Sequence, residues 1–144
     1  MSPKLISHRG NTNGPNQNLE NSIEYIESAI IKGFDVEIDV MYIENKFYFG
    51  HDKPQYLVDR SYIDSIKDKA WFHCKNFDAL YEFSKMIDVR YFWHENDSFT
   101  LTSNDFIWTY PGKTISDRSI IVDLTWDAKL KNKLAYGICG DYLE

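Results

Sequence analysis

The chain has 144 residues, a formal net charge of −6, a pI near 5.2 and 16% aromatic side chains. With no basic stripe, that acidity argues against nucleic-acid binding and against docking on an anionic membrane surface. No apolar run approaches the ~20 residues of a membrane span, and the length predicts a single domain over 1–144 with a real core.

In chain order, Lys4 to Ser7 reads as a buried strand, and Asn11 to Asn18 as a polar Asn/Gly/Pro loop. Asn21 reads as a helix N-cap with Glu24 three residues on, and Ile23, Ile26, Ala29 and Ile30 form one helical face that ends at Lys32-Gly33. Phe34 to Met41 is a strand in which Glu37 and Asp39 share one face, about 7 Å apart, while Val36, Ile38 and Val40 share the other. Glu44-Asn45-Lys46 is a turn into a third strand, Phe47 to Gly50. Ser61 to Lys69 suits a short helix, and Ala70 to Cys74 a fourth strand. Asn76 caps a helix with Leu80, Phe83 and Ile87 facing inward, and Arg90 to Trp93 is a fifth strand ending at His94-Glu95. Beyond it lie strands without a convincing helix, at Phe106 to Thr109 and Ser119 to Leu124, then a short helix over Asp127 to Leu134 and a last strand. The first half alternates strand and helix, as a parallel sheet requires; the second half alternates poorly.

The polar clusters close the apolar runs. His8-Arg9-Gly10, Glu37-Ile38-Asp39 and Gly50-His51-Asp52 each sit at a strand end, so they would share one rim of the sheet. Two histidines, two same-facing carboxylates and an arginine suit chemistry on a phosphate. Glu37 and Asp39 would repel each other unless a cation sat between them, and oxygen ligands favour Mg²⁺ or Ca²⁺. Cys74 neighbours His73, but adjacent strand residues face opposite ways, so the two do not form a catalytic pair.

His8-Arg9-Gly10, Glu20-Asn21-Ser22, Glu37-Ile38-Asp39 and His51-Asp52, in this order and spacing, resemble the glycerophosphodiester phosphodiesterase family of the phosphatidylinositol-phospholipase-C-like superfamily. The match runs from about Leu5 to Asp52, and Tyr136-Gly137-Ile138-Cys139-Gly140-Asp141-Tyr142 resembles the family's last strand. The resemblance implies an α/β fold, a TIM-type (β/α)8 barrel. At 144 residues against the roughly 250 usual for that fold, it would be a reduced barrel with several outer helices missing in the second half. It implies His8 and His51 as the acid/base pair, with Arg9 holding the phosphate. Glu37 and Asp39 become metal ligands, and Glu20, Asn21 and Asp52 supporting groups.

The main departure is in the fourth strand, Trp71-Phe72-His73-Cys74-Lys75. By position His73 replaces a third metal carboxylate, which moves the preference toward Mn²⁺ or Zn²⁺; alternatively His73 binds substrate, and the metal is weaker or absent. Lys75 is retained as a phosphate contact. Trp108 resembles a ring lining the family's substrate pocket; His94 and Glu95, at the same rim, match no family motif and stand as further pocket candidates. The expected activity is cleavage of a glycerophosphodiester-like or polyol phosphodiester. Its alternatives are a non-catalytic phosphate-binding protein and a cyclising lyase of the same superfamily. Two cysteines make no disulfide framework, and no signal-like core follows Met1, so the expected setting is the cytoplasm. The rings of Tyr91, Phe92, Trp93, Phe99, Phe106, Trp108 and Tyr110, with no helix to cover them, predict exposed aromatic faces and a homodimer.

Overall fold

The computed structural model describes residues 2–125 and 134–144. It is a mixed α/β fold built on one curled, half-barrel sheet with few helices. β1 (Lys4–His8) leads through α1 (Ile23–Ile31) to β2 (Asp35–Ile43), which forms a hairpin with β3 (Lys46–Phe49). After β4 (Tyr56–Val58) come α2 (Arg60–Ile66), β5 (Ala70–Cys74), α3 (Phe77–Ser84) and β6 (Tyr91–Phe92). β7 (Phe99–Leu101), β8 (Ile107–Thr109), β9 (Ser119–Val122) and β10 (Gly137–Gly140) complete the described chain.

The parallel run is β6-β5-β2-β1-β10-β9-β8, with β7 added antiparallel to β8 at the edge. The last strand therefore pairs with the first, and the registers His8↔Glu37 and Asp39↔His73 set the sequence motifs side by side. Hydrogen bonds outside the ladders join the segments at the two ends of this run. Ser103 donates its N–H to the Tyr91 carbonyl at 2.9 Å, and the Thr100 hydroxyl donates to the Trp93 carbonyl at 2.7 Å.

The alternation along β2 divides the molecule. Val36, Ile38 and Val40 face the helices and join Ile26, Ile63, Phe72 and Phe83 in the outer core. Asp35, Glu37 and Asp39 take the inner face and are all buried. At the N-terminal ends of the strands Asp35 accepts a hydrogen bond from the Trp71 indole at 3.0 Å, with Lys4 and Arg90 at 3.7 and 3.5 Å. The Arg90 guanidinium lies 4.2 Å from the centre of the Trp71 ring, so cation, ring and carboxylate form one plug.

The α/β class and the lack of described helices in the second half agree with expectation, since the three described helices all precede β6; the sheet is a curled half-barrel, and a full barrel is not shown among the described residues. Several other sequence expectations are corrected. The hairpin strand β4 was not legible, and β7 runs antiparallel to its neighbour. The cap of α1 is Ser22, whose hydroxyl accepts from the Tyr25 N–H; Asn21 instead adopts a left-handed φ of 67° and turns its side chain to the site. Asn76 does cap α3, but that helix ends at Ser84 and leaves Ile87 exposed. The rings expected outside mostly point in. Phe92 and Trp108 are buried inside the curl with Trp71, and Phe106 and Tyr110 pack against them. Tyr91 and Trp93 pack on the outer core, where Tyr91 meets Phe83 edge-on. Of the seven only Phe99 is exposed, beside Leu101 on the edge strand β7. The reason is that the curl has an interior of its own that large side chains must fill. The helix expected over Asp127 to Leu134 lies almost wholly outside the described residues.

Candidate functional site

The site sits at the C-terminal ends of β1, β2 and β5, on the inner face. Arg9 follows β1 in a left-handed conformation, φ 61°, and Gly10 follows at φ 97°. An added Cβ on Gly10 would lie 2.6 Å from the Tyr25 ring, so the His-Arg-Gly turn tolerates only glycine there. A non-glycine residue held at positive φ is strained, and the surroundings must hold it in place. They do: the Arg9 carbonyl accepts from the Asn21 N–H at 3.0 Å, and the guanidinium Nε lies 2.9 Å from Asp39 Oδ2. Its Nη1 donates to Glu20 Oε1 at 3.2 Å.

Glu20 and Asn21 act as braces. Glu20 Oε2 accepts from the Asn11 amide at 2.9 Å and from the Asn16 N–H at 3.1 Å. Asn21 clasps Asp39 from both sides, donating to Oδ2 at 3.0 Å and accepting from the Asp39 N–H at 3.0 Å.

Both expected acid/base histidines are anchored in the same way. His8 Nδ1 lies 2.8 Å from Asp141 Oδ1, and His51 Nδ1 lies 2.7 Å from Asp52 Oδ1. A carboxylate only accepts, so each Nδ1 is the donor and each Nε2 is left for chemistry. Burial lowers the pKa of His8, but the hydrogen bond to Asp141 and the charge of Glu37 outweigh it, and the net shift is upward. Asp141 also accepts from Asn11 at 2.9 Å, which fixes it between loop and strand.

Glu37, Asp39 and His73 gather with ligand atoms within 4.8 Å of one another. His73 Nδ1 lies 3.5 Å from Glu37 and 3.4 Å from Asp39, distances of ion pairing rather than of good hydrogen bonds. Burial lowers the His73 pKa, yet its contacts with Asp39 and Glu37 prevail and push it up to about 9. Burial raises that of Asp39, but His73 and Arg9 together hold the carboxyl well below the usual range. The far ring nitrogen of His73, Nε2, reaches the His94 carbonyl at 3.2 Å. Donation there leaves Nδ1 facing the carboxylates, as a proton donor when charged and as a lone pair when neutral.

The donor set fits a divalent ion. Glu37 Oε1 and Asp39 Oδ1 are buried and find no hydrogen-bond partner among the described residues. A buried charged oxygen left without a donor is costly, and a cation between these carboxylates and the imidazole would satisfy both.

A cavity of about 320 Å³ opens on this rim. His8, Arg9, Glu37, His51 and His73 line it together with Lys75, His94, Glu95 and Trp108, while Asp39 is fully buried and does not line it, and Glu20, Asn21 and Asp52 line a neighbouring cavity. Trp108 contributes little surface, being 2% exposed and stacked on Phe92 at 4.6 Å. Two contributors were missed from the sequence. Tyr110 stacks on His94 with ring centres 4.1 Å apart, and no local motif announces it. Asp141 holds His8 across 133 positions; its signal was the Gly140-Asp141 ending of a strand that pairs with β1.

Comparison with protein-family models, curated proteins and solved structures finds no match to this chain.

Proposed function

We propose that this protein is a metal-dependent phosphodiesterase acting on a glycerophosphodiester-like or polyol phosphodiester. The observation that carries the reading is the pair of histidines, each tied through Nδ1 to a carboxylate, lining one cavity with Arg9 and Glu37. The four motifs that resemble the glycerophosphodiester phosphodiesterase family supply most of those side chains. On this reading the curled sheet is a reduced TIM-type barrel, its ends joined through Ser103 and Thr100, with the site at the strand C-termini as in that architecture.

Arg9 binds a non-bridging phosphate oxygen while its pairing with Asp39 and Glu20 keeps the fork in place. His8 takes the proton of an attacking hydroxyl, and the Asp141 carboxylate stabilises the imidazolium that results. His51 delivers a proton to the departing oxygen. Lys75 offers a second cation at the cavity wall. Glu37, Asp39 and His73 would hold the metal, with Mg²⁺ or Ca²⁺ favoured by the carboxylates and Mn²⁺ or Zn²⁺ by the imidazole. When bound, the ion supplies a Lewis acid for charge on the phosphate.

One observation favours a second reading. Arg9 and a charged His73 already balance Glu37 and Asp39, so phosphate capture without metal is compatible with the site. That would suit a phosphate-binding protein or a cyclising lyase. A panel of phosphodiesters followed by phosphorus NMR, with and without EDTA, tests the choice. Turnover abolished by EDTA supports the metal-dependent hydrolase. A cyclic product that persists supports the lyase, and binding with no turnover under any of the four metals overturns the enzyme. The two free, buried cysteines suit a reducing, cytoplasmic setting.

A further inference from the structure

A second cavity, of about 230 Å³, adjoins the first and shares Arg9 and His51 with it. We propose that it is the subsite for the leaving alcohol, and that it selects a small hydroxylated group such as glycerol. The proposal rests on the phosphodiesterase reading. A phosphodiester carries two alcohol arms on one phosphorus, and here two cavities meet at the cation expected to hold that phosphorus. His51 belongs to both, so a proton donor stands on the border that the leaving oxygen must cross.

Both walls are built. On one side Gly50 donates to the Asp39 carbonyl at 3.0 Å and Gln55 to the Phe49 carbonyl at 3.1 Å, which pins the 50–55 turn at both ends. A Cβ on Gly50 would collide with the Lys53 carbonyl oxygen, so the turn closes this tightly only with glycine. On the other side buried Asn11 and Glu20 tie down Asn16, and with it the loop that carries Gln17.

The lining selects by chemistry. Glu20 and Asn21 are committed to Arg9, Asn16 and Asp39, Asp52 is tied to His51, and Lys53 adds a cation to the lining. Gln17 and Gln55 make no side-chain hydrogen bond among the described residues, and each amide offers donors and an acceptor that suit a hydroxyl. No aromatic ring lines this cavity, so a quaternary ammonium gains no cation–π contact, and no apolar wall awaits an acyl chain. In the step itself, the internal hydroxyl oxygen bonds to phosphorus and its proton passes to His8. The bond from phosphorus to the leaving oxygen breaks, that oxygen keeps the electron pair, and protonated His51 gives it a proton. The products are a cyclic phosphodiester and the free alcohol.

The test has two arms on the full chain. In EDTA, glycerophosphoglycerol is titrated in while the side-chain amide signals of Gln17 and Gln55 are followed by NMR; inorganic phosphate and the methyl ester of glycerol phosphate are the controls. The diglycerol ester should move both amide signals, and the controls should not. With metal, the Gln17→Leu/Gln55→Leu variant should lose roughly tenfold of its preference for glycerol over methanol as leaving group. Amide signals that stay still, or a preference unchanged in the variant, overturn the subsite. If no diester is turned over yet the amides respond, the catalytic reading fails and with it the leaving-group role, while selection of a glycerol arm by this cavity stands.

Discussion

Replacing Arg9 by methionine asks whether this side chain holds the site together as well as facing the substrate. Met keeps the stem and, like Arg, accepts the left-handed backbone only under constraint, so the main loss is the guanidinium. That group lies 2.9 Å from Asp39, which is fully buried, and 3.2 Å from Glu20. Removing one partner of a buried pair costs about 3–5 kcal/mol, because the other charge is left uncompensated. Asp39 would still have the Asn21 amide at 3.0 Å and His73 at 3.4 Å, so the lower end, about 3 kcal/mol, is expected. For a chain of this size that corresponds to a fall in Tm of roughly 10 °C. Chemical denaturation of Arg9→Met, Asp39→Asn and the double variant gives the cycle. The double variant should recover at least about 1 kcal/mol relative to the sum of the singles, as groups in direct contact do. A single-variant loss under about 1 kcal/mol, or strict additivity, would refute a structural role for the guanidinium.

Changing either His8 or His51 to alanine should lower diester turnover by roughly 10²–10⁴-fold with an unchanged circular dichroism spectrum; full activity would remove that histidine from the mechanism. A divalent ion should stabilise the native protein and not Glu37→Ala, by about 2.7 kcal/mol at a hundred times Kd, which calorimetry can read as a raised Tm. The raised pKa of His8 means that its bond to Asp141 contributes stability fully below the unfolded value near 6.5. That contribution is lost as pH rises through the folded value. The Tm difference between native protein and Asp141→Asn should therefore shrink as pH rises above about 6.5, and a difference that grows would contradict the assignment. Light scattering at micromolar concentration should give twice 17.0 kDa if Phe99 and Leu101 on the edge strand mediate a homodimer; a monomer mass would end that expectation.

The parts of the site legible in the sequence are those set by short-range geometry. Glu37 and Asp39 share a face because a strand alternates, and His8 and His51 fall at strand ends because apolar runs stop there. His73 was placed with them by the resemblance, as the residue standing where the family has a third carboxylate, and in the structure the register Asp39↔His73 sets it beside them. What stayed hidden depends on distant segments meeting. The grip of Asp141 on His8 needs the last strand to pair with the first, and the stacking of Tyr110 on His94 needs the far side of the curl to close in. Asn21 shows a local competition that pattern reading resolved the wrong way. Both Asn21 and Ser22 are good caps; Ser22 took the helix, because Asn21 makes more bonds by clasping Asp39. The inward turn of Phe92 and Trp108 was missed for a related reason. An aromatic on an uncovered strand reads as exposed until the sheet is known to curl.

The plug of Asp35, Arg90 and Trp71 at the opposite ends of the strands bears on traffic through the molecule. Trp71 is fully buried and packs against Phe106, Trp108 and Tyr136, so among the described residues large rings fill the space beneath the candidate site. On the proposed reading, a ligand at the candidate site would then enter and leave on the rim side. If the chain is the proposed phosphodiesterase, a phosphorylated product held by Arg9 would block the next arrival, so such a product should compete with substrate, and its departure, rather than bond cleavage, can set the pace of the cycle.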